Sequence, residues 1–121
     1  MTQKDRDIIE HIIYRCNRVC VTIDEFGNSF ETFDLNEVFQ ELVSFNIAQI
    51  GELVKSLSDE FRNSTSDQIP WKDIAGMRDH LVHGYTTMKK SQIWDTALND
   101  IPSLKKFCEE QLEQYEIDSL T

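Results

Sequence analysis

Between about residues 4 and 27 the apolar side chains Ile8, Ile9, Ile12, Ile13, Cys16, Val19, Cys20, Ile23 and Phe26 recur at intervals of three and four. That spacing lays them along one face of a long α-helix. Gly27-Asn28-Ser29 then ends the segment. Asp34, with Glu37 three residues later, reads as a capping box opening a second helix. Its apolar stripe runs Leu35, Val38, Phe39, Leu42, Val43, Phe45, Ile47, Ile50, Leu53, Val54, Leu57 and Phe61. This is too broad for one face meeting one neighbour, so the helix is either central in a bundle or partly covered by a second subunit.

Residues 62–68 (RNSTSDQ) are small and polar and read as a loop. Pro70 suits the first turn of a third helix, where its missing N–H costs nothing. Trp71, Ile74, Met77, Leu81 and Val82 carry that helix to about His83, with Gly84 as its C-terminal cap. Ser91 opens a short helix through Ile93, Trp94, Ala97 and Leu98. Asp100-Ile101-Pro102 marks a break or kink, and Leu104, Phe107, Cys108, Leu112 and Tyr115 stripe a last helix. With four Gly and two Pro in 121 residues, the chain reads as all-α. The expected architecture is an antiparallel bundle of four to five helices forming a single domain over 1–121.

No apolar run approaches the roughly 20 residues that span a bilayer. The charged opening MTQKDRD does not resemble a signal peptide, so the expectation is a cytoplasmic protein with no membrane contact. Cys16, Cys20 and Cys108 are an odd set without zinc-like spacing, and they read as reduced core residues. The net charge of −10 opposes phosphate binding. It is unevenly spread, however. Residues 71–90 hold Lys72, Arg78, Lys89 and Lys90 against Asp73 and Asp79, while Cys108 onward holds five acids and no Lys or Arg.

That locally basic window contains the unusual part of the chain, Arg78-Asp79-His80-Leu81-Val82-His83-Gly84-Tyr85. Cleaving RNA without a metal needs a proton taken from the 2′-hydroxyl, one given to the leaving 5′-oxygen, and positive charge beside the phosphorane. A histidine moves protons near neutral pH, and an arginine presents a planar cationic fork. Asp79 and His83, four apart, share a helix face, so Asp79 is placed to set the tautomer of His83. Arg78 lies five residues before His83, about 140° around the helix. One copy is therefore a poor clamp for one phosphate, whereas two copies across a two-fold axis would line one cleft, which makes a homodimer the expected state. The bland readings stand beside this one: an interface Arg/His pair, His80 as a satisfied interface histidine, Asp79 as half of a surface ion pair, and Tyr85 as a packed aromatic.

At these residues the chain resembles the HepT-like proteins of the HEPN superfamily, whose hallmark is Arg, four residues, His, one residue, Tyr, here Arg78-DHLV-His83-Gly-Tyr85. The context is similar too: Asn46, Ile50-Gly51-Glu52, Ile69-Pro70-Trp71 leading into Ile74-Ala-Gly-Met-Arg78, Ile93-Trp94 and Asp100-Ile-Pro102. The TTMKK stretch at 86–90 departs from relatives, which carry more acidic or apolar residues there. The resemblance implies a HEPN-like homodimeric bundle and a metal-independent endoribonuclease toxin without cofactors. Arg78 and His83 would be its catalytic pair, with Asp79 and His80 in support. It also implies an RNA substrate and a cognate MntA-type minimal nucleotidyltransferase antitoxin that adenylylates Tyr85. The alternative from another class is a non-catalytic helical protein that binds such a nucleotidyltransferase, and the acidic balance favours it.

Overall fold

The computed structural model describes residues 1–83 and 88–120, with the backbone alone described at His83. Four long helices carry the fold: α1 (Gln3–Phe26), α3 (Glu37–Lys55), α5 (Trp71–His83) and α7 (Ile101–Ser119). Three short ones, α2 (Phe30–Leu35), α4 (Asp59–Thr65) and α6 (Lys90–Asp95), sit in the connections, and a π-helical turn (Thr96–Asp100) joins α6 to α7. Among the described residues every regular element is helical, so the chain is an all-α bundle.

Helix α1 begins where Thr2 and Asp5 cap each other reciprocally, and it ends at Gly27, whose φ of 88° only glycine adopts without strain. It runs antiparallel to α3. Phe26 stacks on Phe39 at 4.8 Å at one end, Arg15 Nη1 donates to Asn46 Oδ1 at 3.2 Å midway, and Asp5 meets Ser58 at the other end. Helix α1 also runs antiparallel to α7, with Arg6 near Glu116 and the Tyr115 hydroxyl bonded to Gln3. Helix α5 packs on α3, which is therefore central.

The expected start of the second helix at Asp34 is corrected. Asn36 is the cap of α3, its Oδ1 accepting from Phe39 N at 3.0 Å, and Asp34 belongs to α2. The long stripe expected through Phe61 is also interrupted. Ser58 caps a separate α4, and its N–H and hydroxyl both donate to the buried Asp5 carboxylate, at 2.8 and 2.7 Å. Burial alone would raise the pKa of Asp5, but these bonds and those from Thr2 outweigh it and hold the group below the usual carboxylate range. Residues 62–65, expected in a loop, continue α4. The hydroxyl of Thr65 donates to Phe61 O at 2.8 Å and accepts from Trp71 Nε1 at 2.8 Å. Pro102 falls in the first turn of α7, where it ends the π-helical turn without breaking the helical path.

Two aromatic clusters anchor the start of α5 and the short α6. Trp71, at the start of α5, packs with Phe61 and Phe107 at 6.0 and 5.8 Å. Trp94, on α6, packs with Phe33 and Phe39 at 5.1 and 5.8 Å. The candidate motif lies between these two anchors in the chain. The expected C-cap at Gly84 falls outside the described residues.

Candidate active site

Helix α5 approaches α3 unusually closely. A Cβ placed on Gly51 would lie 2.4 Å from Arg78 Cβ and 3.0 Å from the carbonyl oxygen of Ile74. Glycine inside a helix costs about 1 kcal/mol relative to alanine, so its presence here is explained by the contact it permits. The stem of Arg78 settles into the space left by the missing side chain.

This approach brings four charges together in alternating order. Arg78 Nε lies 3.0 Å from Glu52 Oε2, and Arg78 Nη1 donates to Asp79 Oδ1 at 3.2 Å. The same Asp79 oxygen accepts from Lys55 Nζ at 2.9 Å. Hydrogen bonding from Lys55 first, and from Arg78 next, keeps the Asp79 carboxyl below the usual carboxylate range. Glu52 and Asp79 are both half-exposed, so the network lies on an open surface rather than in a closed pocket.

Sequence reasoning brought Arg78 and Asp79 together, and the structure does the same. It pairs Asp79 with Lys55 and Arg78; the His83 side chain, its expected partner, lies outside the described residues, as does all of Tyr85. His80 is exposed. The sequence assigns no role in the site to Glu52 or Lys55, although the helical Gly51 beside Glu52 marks where another backbone comes close. Asn46 is buried, its Nδ2 donating to Leu42 O at 2.8 Å and its Oδ1 accepting from Arg15.

The outer face of α3 leads from this network into an exposed apolar stripe. Val38, Leu42, Phe45, Gln49 and Glu52 follow one another at steps of four and three, which places them in one row. Val38 is 57%, Leu42 37% and Phe45 54% exposed. Tyr14 of α1 is 58% exposed beside them, and the Arg15 guanidinium lies over both rings, 5.3 Å from Tyr14 and 5.5 Å from Phe45. Val82, one turn beyond Arg78, is exposed as well. The inner face of α3, carrying Phe39, Val43, Ile47, Ile50 and Val54, is buried in the core. The breadth of the α3 stripe is thus resolved into one covered row and one uncovered row.

The family model "Ribonuclease HepT-like" matches residues 7–111, spanning the bundle and the whole 78–85 motif. The chain belongs to the HepT-like ribonuclease family. Its relatives cover nearly the same length. A "putative RNase" of Caldanaerobacter subterraneus subsp. tengcongensis is 39% identical over 109 residues, covering 90% of this chain and 95% of the relative. A "probable ribonuclease HepT" of Thermococcus cleftensis is 33% identical over 107 residues, covering 87% and 93%. A second "putative RNase", from Methanocaldococcus jannaschii, is 35% identical over 96 residues, covering 78% of each chain. No solved structure matches the chain. As a HepT-like protein it is a ribonuclease, and RNA is the substrate class that its family and site chemistry share. No helix among the described residues is long and apolar enough to cross a membrane.

Proposed function

We propose that this HepT-like ribonuclease cleaves RNA without a metal, as a homodimer, and that it is the toxin of a toxin–antitoxin pair. Arg78 and His83 are its catalytic pair. His83 exchanges protons with the 2′-hydroxyl and the leaving 5′-oxygen, while Arg78 offsets the charge of the phosphorane between them. The attacking 2′-oxygen forms the new bond to phosphorus as the 5′-oxygen departs, leaving a 2′,3′-cyclic phosphate and a 5′-hydroxyl. Asp79, whose carboxylate bridges Lys55 and Arg78, and the exposed His80 support that chemistry.

The observation that carries this reading is the position of Arg78 at the end of an uncovered apolar row on α3. An exposed row of this kind marks a contact surface. A second copy laid on Val38, Leu42 and Phe45 in an isologous contact brings two Glu52–Arg78 networks towards one axis, turning two open surfaces into one cleft. Closing the cleft also excludes water, which strengthens every charge interaction within it.

Tyr85, one residue past His83 and Gly84, is the site of silencing by an MntA-type minimal nucleotidyltransferase. Its hydroxyl oxygen attacks the α-phosphorus of ATP and expels pyrophosphate, and the AMP left behind fills the cleft and repels RNA. The test is cleavage in EDTA of an all-ribose oligonucleotide against its 2′-deoxy counterpart, with mass spectrometry of chain co-expressed with the nucleotidyltransferase. Cleavage of the ribose strand alone and AMP on Tyr85 are expected; cleavage of the deoxy strand, or a bare Tyr85 in silenced protein, contradicts the reading. A second reading, a non-catalytic partner of the nucleotidyltransferase, has the net charge of −10 in its favour. A stable complex whose components never cut RNA selects it.

A further inference from the structure

We infer that Glu52 is a positioning residue for Arg78, holding the guanidinium in the one orientation from which it meets the scissile phosphate; this rests on the ribonuclease reading above. Beyond the packed base of its stem Arg78 has further rotatable bonds, and a cation that samples many rotamers is a poor electrostatic catalyst. Two of its three nitrogens are engaged by carboxylates, Nε by Glu52 at 3.0 Å and Nη1 by Asp79 at 3.2 Å. These two contacts come from different helices. Asp79 moves with α5, whereas Glu52 is fixed to the core helix α3 between the buried Ile50 and Val54. Glu52 therefore ties the Arg78 guanidinium directly to α3, whereas Asp79 does so only through Lys55; among the described residues no carboxylate pairs with Nη2, which is left to take the phosphate.

Stability does not explain the pair. Both partners are partly exposed, and ion pairs of that kind contribute little to folding. Glu52 also brings negative charge to a surface that must accept RNA, which is unfavourable for binding unless it serves another end. A fixed guanidinium is such an end. Gly51 beside it points the same way, because its missing side chain is what admits the Arg78 stem.

The experiment compares wild type, Arg78→Ala, Glu52→Ala and Glu52→Gln, reading kcat and KM on a short RNA in EDTA and the Arg78 Nε–H resonance in ¹H–¹⁵N spectra. Glu52→Ala is expected to lower kcat by about 10- to 100-fold, the scale of an angstrom-level misplacement, with KM changed far less. Glu52→Gln, which keeps a carbonyl acceptor for Nε–H, is expected to restore most of kcat. The Nε–H signal should be protected from exchange in wild type and Glu52→Gln and lost in Glu52→Ala. Glu52→Ala with wild-type kcat, or both variants with raised kcat/KM and a steeper decline with salt, overturns the inference and makes Glu52 a mere repulsive charge. If wild type itself leaves RNA intact, the ribonuclease reading fails separately. The Nε–H signal then decides the positioning claim alone, and an Arg78 resonance indifferent to Glu52 sinks it.

Discussion

Replacing Gly51 by alanine tests whether the close approach of α3 and α5 sets the geometry of Arg78. The new Cβ would stand 2.4 Å from Arg78 Cβ, where ordinary contact needs 3.4 Å or more, so α5 must retreat by the difference of 1.0 Å. The Ile74 carbonyl at 3.0 Å is backbone and cannot swing aside. Overpacking of this kind costs about 1–3 kcal/mol. Alanine returns about 1 kcal/mol of helix propensity, so the net destabilisation is expected at roughly 0–2 kcal/mol. Activity should fall much further, by about 100-fold, since a displacement near 1 Å is enough to spoil alignment at a reacting phosphate. Urea unfolding and RNA cleavage on the same preparation give both numbers. A variant about 1 kcal/mol more stable than wild type and equally active would show that only propensity changed, refuting the packing argument.

Asp5→Ala strips three hydrogen-bond donors of a buried acceptor and is expected to cost about 2–4 kcal/mol in urea unfolding. Because the folded pKa of Asp5 is depressed, its stabilisation is complete above about pH 4 and is lost as pH falls through the folded value. Asp5→Asn should therefore flatten the acid limb of the stability curve, and an unchanged limb would contradict this. Iodoacetamide at mild alkaline pH should label Cys20 first, because burial pushes the Cys16 thiol up to about 12 and also raises Cys108. Equal labelling of all three in native protein would mean that the α1–α7 core is open. Phe45→Glu places a charge in the exposed row of α3 and is expected to yield a folded but monomeric and inactive chain by light scattering and cleavage assay; an active monomer would separate activity from dimerisation.

Much of the bundle was readable because the apolar spacing of α1 and α5 is local information: the segment expected over residues 4–27 is Gln3–Phe26 in the fold. The α3 region was readable in type but not in its breaks. Its periodicity continues through Leu57 and Phe61, so the interruption depends on Ser58, whose partner Asp5 lies 53 residues away. The α4 segment Asp59–Thr65 is rich in residues that disfavour helix interiors, and its tertiary anchor, the Thr65–Trp71 bond, overrides that propensity. The candidate site divides in the same way. Arg78, Asp79 and His80 stand together in the sequence, whereas Glu52 and Lys55 join them only because α3 and α5 pack through Gly51. The uncovered row on α3 was legible as excess breadth, but which residues it comprised depended on knowing which face α1 and α5 cover.

In the proposed mechanism Arg78 and His83 act together across a dimer axis. Mixing the Arg78→Ala and His83→Ala chains under conditions where dimers exchange tests it most directly. In the mixed dimer one chain retains Arg78 and its partner retains His83, so RNA cleavage should reappear although each parent alone is inactive. A mixture as inactive as its parents, or a parent that cuts at the wild-type rate, would contradict the claim.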